Sequence, residues 1–166
     1  MNTLLSDIKK TVSSNCCLVG MGNFLKSDDA VGLYIIESVK KAVSNKEMLF
    51  NVEDVIEAYV FKISELDCHS VVVIDAVKAN AETGSIIFGK LDEEFEELGG
   101  TLSTHKLALK MSGRIFSEHD KVTYLLGVVV DNTDFGAELS PVVRESADVI
   151  IKLIIEALNC EKGVGI

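Results

Sequence analysis

Apolar residues along this chain follow two alternating rhythms. Leu4, Leu5, Ile8 and Val12 recur at helical spacing and predict a short leading amphipathic helix within residues 1–14. Cys16-Cys17-Leu18-Val19-Gly20 is a brief apolar run stopped by glycine, the pattern of a buried strand. Val31, Ile35 and Val39 share one stripe and predict a helix over 30–43, and a strand with more charge follows over 48–56. Ser70 to Ile74 (SVVVI) reads as a second buried strand ending at Asp75, and 84–89 as a short glycine-bounded edge strand. Residues 103–116 predict a helix beginning near His105, and 122–130 another β-rich run. The longest helix spans 139–158: Ser140 is placed to cap it, Pro141 suits its first turn, and Val142, Val143, Val149, Ile150, Leu153, Ile154 and Leu158 supply its buried side.

Strands alternating with helices, and strands that are apolar on both faces, imply a mostly parallel sheet covered on each side. The expectation is a single three-layer α/β domain, a mostly parallel twisted sheet sandwiched between helices, with a leading helix over 1–14, a core over 15–158 and a tail over 159–166. The 166 residues suffice for one core, and with one proline in the chain nothing reads as a flexible linker. The acidic run over 91–98 (LDEEFEEL) reads as a solvated helix face.

Charge narrows the function. Lys+Arg number 16 against Asp+Glu 26, a net charge of -10, which argues against a phosphate backbone or an anionic membrane as the main partner. No apolar run approaches the length of a membrane span. Asp7, Lys9 and Lys10 interrupt the first twelve residues, so no secretion signal is expected. The four cysteines (Cys16, Cys17, Cys68, Cys160) form no C-x-x-C pair, which fits reduced thiols in a cytoplasm.

In an open parallel sheet, ligands gather outside the carboxyl ends of the strands. Three segments place polar residues there: Gly20 to Gly32 (GMGNFLKSDDAVG), Asp75, and Ser103-Thr104-His105. The first opens like a dinucleotide fingerprint, but Leu25 stands where the third glycine belongs. Each residue alone has an ordinary structural use. A glycine turn lets the chain reverse, Asp28 or Asp29 favours a helix start, and Asp75 could cap a turn. Together, one of the two adjacent aspartates, Asp75 and His105 make an O,O,N donor set suited to a borderline transition metal, with positions left for water or substrate. His69 and His119 read as structural or exposed.

GMGNFLKSDDAVG resembles the G-x-G-N-x-[LIM]-x-x-D-[DE]-[AG]-x-G signature of the maturation endopeptidases of nickel–iron hydrogenases. VVVIDAV, STHKLAL, LLGVVV and ELSPVV resemble that family's further segments, in the same order from Cys16 to Leu158. The resemblance implies a cytoplasmic protease that removes the C-terminal extension of a hydrogenase large-subunit precursor after nickel insertion. It implies that Asp29, Asp75 and His105 are the metal-contacting and catalytic positions, and that the metal is nickel carried by the substrate, with no permanently bound cofactor. Gly22 and Asn23 are the expected substrate-binding positions, Asn23 either touching substrate or bracing its loop. No nucleic-acid partner is expected, and monomer is the default. The family's acid and glycines after the second strand are missing from 52–59, where Glu57 is the candidate stand-in, and Val129-Val130 replaces the usual proline.

No Ser-His-Asp set and no H-E-x-x-H is present, so hydrolysis would use carboxylates, a metal, or both. Two other readings carry different expectations. A peptidyl-tRNA hydrolase also opens on a strand and a G-x-G-N turn, but continues with Pro-Gly and needs a basic surface. A nickel-dependent checkpoint or chaperone would keep the three ligands and hold the precursor without cutting it.

Overall fold

The continuous apolar runs form the middle of a sheet. The computed structural model describes residues 3–92, 102–103, 105–136 and 138–163. In it β1 (Cys16–Met21) is buried throughout, and β3 is buried except at its last residue, Lys78. β3 (Ser70–Lys78) pairs parallel to β1, from Cys16 opposite Ser70 to Gly20 opposite Ile74. With β2 (Leu49–Glu53), β4 (Ile86–Lys90) and β6 (Val122–Val129) the order is β2-β1-β3-β6-β4, parallel except for β4, which runs antiparallel along β6. The two residues of β5 (Leu102–Ser103) pair antiparallel with the end of β3.

The period of two along the strands separates the core into two halves. Cys16, Leu18, Val72, Ile74, Ala76, Leu126 and Val128 face α1 (Thr3–Val12), α2 (Val31–Ala42) and α5 (Pro141–Gly163). Cys17, Val19, Met21, Val71, Val73, Val77, Leu125 and Val129 face α3 (Val60–Ser64) and α4, Lys106–Glu118. Full burial of each large aliphatic side chain stabilises the domain by about 1.5–3 kcal/mol. The three-layer α/β expectation therefore holds.

The differences from the sequence pattern are local. The second strand stops at Glu53, whose positive φ of 53° turns the chain out of the sheet, rather than running to 56. A 3₁₀ turn at Ile56–Ala58 and the five residues of α3 follow; such short pieces leave too little periodicity to read. The 3₁₀ turn Ser27–Ala30 precedes α2, and Ser103 belongs to β5 rather than to α4. α5 runs to Gly163, so 159–163 continue the helix instead of forming the expected tail. Within the acidic run, 93–98 lie outside the described residues.

None of the four cysteines is in a disulfide, and Cys16, Cys17 and Cys68 are buried. Burial pushes the Cys17 and Cys68 thiols up, which leaves neither suited to nucleophilic work. Lys121, also buried, donates to the carbonyls of Leu66 (2.6 Å) and Cys68 (3.0 Å) and fixes the turn entering β3. Among the described residues no helix is long and apolar enough to cross a membrane.

The start of α2 lies directly on the sheet. A Cβ at Gly32 would run into the carbonyl oxygens of Ile74 and Met21, and one at Gly20 into the carbonyl of Gly32 and the side chain of Asn51. The 3₁₀ turn ahead of α2 is tied to the far end of the chain. Asp28, almost wholly buried, accepts the Ser140 N–H at 2.7 Å and the Ser140 hydroxyl at 2.8 Å. The hydroxyl expected to cap α5 thus donates to Asp28, and Pro141 begins the helix as expected.

Two substitutions measure these constraints by urea unfolding. Gly32→Ala should cost about 3 kcal/mol, since backbone must move. Asp28→Ala should cost about 2 kcal/mol and Asp28→Asn less, because the amide oxygen still accepts one bond.

Candidate functional site

Position 75 falls on the odd-numbered face of β3, so its side chain joins Val71, Val73 and Val77 on the α3–α4 side. There it is fully buried, a costly place for a carboxylate without partners. Its Oδ1 accepts the Ala76 N–H at 2.9 Å, and its Oδ2 lies 3.0 Å from His105 Nδ1. His105 occupies the N-cap position of α4, and its carbonyl accepts the Leu109 N–H at 3.0 Å, so the helix start fixes its backbone.

The hydrogen bond to Asp75 raises the His105 pKa above its ordinary value. Burial opposes that shift, and the negative charges of Asp75, Asp29 and Asp54 add to it. The adjacent aspartates do different things. Asp28 turns to Ser140, while the buried Asp29 lies within electrostatic reach of His105.

Glycine 22 is what admits Asp29. Its φ of 145° suits glycine alone, and a Cβ there would collide with the Asp29 carbonyl oxygen. The next residue, Asn23, accepts the Leu25 N–H through Oδ1 at 2.9 Å, an Asx turn that braces the loop. A second loop clasps this one. Ser27 N–H donates to the Gly136 carbonyl (2.9 Å), Gly136 N–H to Leu25 (2.9 Å), Ser27 Oγ to the Asp134 carbonyl (2.8 Å) and Asp28 N–H to Asn132 (3.2 Å).

Asp54 was missed by the sequence reading, which carried the second strand to 56 and looked to Glu57 for an acid. Its position directly after a strand is the signal that points to it. Glu57 sits exposed in the 3₁₀ turn. His69 is exposed, and the exposed His119 bonds only its own helix through the Ile115 carbonyl, at 2.9 Å.

The arrangement is a buried carboxylate bonded to a half-buried imidazole, with the negative charges of Asp29 and Asp54 nearby. Among the described residues no three His, Cys, Asp or Glu side chains already converge on a common point that could hold a metal. Both Asp75 oxygens are engaged, so binding an incoming cation there means exchanging one of those contacts. The donor types nonetheless suit a borderline metal, and the Asp75 contact orients the imidazole as a carboxylate commonly does for a ligating histidine.

A chain from Methanocaldococcus jannaschii, provisionally assigned as a hydrogenase maturation protease, is 24% identical over 164 residues, covering 93% of this chain and 92% of its own length. The crystal structure of the [NiFe] hydrogenase maturation protease HycI from Thermococcus kodakarensis superposes with a TM-score of 0.73 at 24% identity, over 92% of this chain and 99% of that one. The hydrogenase maturating endopeptidase HybD from E. coli gives 0.69 at 18% identity, over 87% and 92%. These similarities establish a shared fold. The HycI hydrogenase maturation protease profile matches residues 33–157, a span that includes Asp75 and His105 and begins just after Asp29. On that match, the chain belongs to the hydrogenase maturation protease family.

Proposed function

We propose that the protein is a cytoplasmic endopeptidase that removes the C-terminal extension of a nickel–iron hydrogenase large-subunit precursor, and that it reads the inserted nickel through Asp29, Asp75 and His105. The observation that carries the reading is the contact of the buried Asp75 with the half-buried His105, with the charges of Asp29 and Asp54 nearby, in a chain of this protease family. Nickel belongs to the substrate in this scheme and supplies a fixed cation against which the scissile peptide is held; no resident cofactor is needed.

The residues of this chain do the positioning. Asp75 accepts the His105 Nδ1–H and so holds the ring in one orientation. Asp29, held by the glycine turn and the loop clasp, presents a second carboxylate from the neighbouring strand end. Binding a substrate whose metal is in place turns an intermolecular attack into a positioned one. A carboxylate of the set then takes a proton from water as the water oxygen bonds to the scissile carbonyl carbon, and gives that proton to the departing amine as the C–N bond breaks.

Purified protein should cleave nickel-loaded precursor and leave nickel-free precursor intact. His105→Ala should lower that cleavage by at least about 10- to 100-fold, the range lost when even the outer partners of a metal site are removed. Equal cleavage of both precursors, or full activity after His105→Ala, would sink the nickel reading. A tight stoichiometric complex without product would favour a checkpoint instead.

The pair also sets a pH dependence. His105 has a folded pKa above its unfolded value, so its stabilisation is complete below about pH 6.5 and is lost as pH rises through the folded pKa. The stability gap between wild type and His105→Asn should be about 2 kcal/mol near pH 5.5 and shrink as pH rises through the folded pKa, above 6.5. Urea midpoints across that range measure it, and a constant gap contradicts the assignment.

A further inference from the structure

The loop that delivers Asp29 also holds large apolar side chains out in water. Phe24 is 46% exposed, Leu25 65% and Phe135 83%. Single exposed apolar residues are ordinary, but these belong together. Lys26 and Gly136 form a parallel β-bridge, and its register sets Leu25 beside Phe135 on one side of the clasp. The hydrogen bonds of Leu25, Ser27 and Asp28 to the 132–136 segment fix the backbone on both sides. Ser27 holds a positive φ of 47°, a conformation that costs free energy in a non-glycine residue. The side chains are therefore displayed by a rigid frame.

Their place decides the occupant. Asp29 lies four residues past Leu25 on the same loop, which places the apolar side chains close to the candidate site. The surroundings are acidic: Asp131, Asp134 and Glu138 are exposed on the clasping segment, against the single exposed cation Lys26 on its partner. The whole chain carries -10.

We propose that Phe24, Leu25 and Phe135 form a docking surface for an apolar segment of the protein substrate that also carries basic residues and adjoins the bond to be cut. The proposal rests on the protease reading above and names where that substrate is gripped outside the reacting centre. Apolar contact supplies affinity, and the acidic rim selects cationic flanks and speeds encounter.

Titration of precursor large subunit against wild type, Leu25→Ser/Phe135→Ser and Asp131→Asn/Asp134→Asn tests this directly. The apolar double variant should raise the Kd about tenfold and the KM in parallel, with a melting temperature close to wild type because the side chains are exposed. The acidic double variant should raise the Kd about threefold at low salt, a difference that fades near 0.5 M salt. Wild-type affinity in the apolar variant overturns the proposal. So does a wild-type dimer that this variant dissociates without change in precursor Kd, or failure of wild type to bind precursor at all. Binding without cleavage by wild type counts against the protease reading and leaves the Kd comparison standing.

Discussion

The structure depends on how closely one helix start can approach two strand ends. Gly32 rests on the carbonyls of Ile74 and Met21, and Gly22 on that of Asp29. Backbone meets backbone there with no side chain between. A methyl group at either position would lift the 3₁₀ turn off the sheet, and with it the aspartate that the turn presents to His105. The glycines that look like a nucleotide-binding loop thus serve a steric purpose, to bring an acid on one connection beside an acid on the neighbouring strand.

That proximity has an electrostatic consequence. A carboxylate buried as completely as Asp75 must be hydrogen-bonded, and it is, by its neighbour's amide and by His105. The imidazole gains a proton more readily as a result. Asp75 and His105 therefore stabilise one another in the absence of a cation, while the same groups are the ones a cation would want. Protonation of the ring and ligation by it are competing uses of one site.

Much of this was legible in the sequence because burial leaves strong periodic signals. The SVVVI run reads as a buried strand and forms β3, but the strand continues past Asp75 to Lys78, so Asp75 lies within it, just beyond the last pairing with β1 at Ile74. Asp29 and His105 followed from the same rule about strand ends, together with the family resemblance of their segments. What stayed hidden was set by tertiary contacts. Whether Asp28 or Asp29 faced the cleft depended on Ser140, over a hundred residues away. Asp54 was obscured because the positive φ at Glu53, which ends β2, leaves no compositional mark. The contact of Asn23 with the Leu25 N–H depends on a local turn geometry that residue type alone does not set.

The link between Asp28 and Ser140 carries a temporal meaning. The loop that presents Asp29 is fastened by residues 132–140, near the opposite end of the chain. Contacts that distant in sequence form late, since the intervening chain must first be made and closed. On the ribosome, the segment with the glycine turn emerges early but acquires its final shape only once the beginning of α5 has been synthesised. A chain halted before that point holds Asp29, Asp75 and His105 without the brace that sets the first of them in place. The brace beside Asp29 therefore forms only after residue 140 has been made, an order that comes from topology alone.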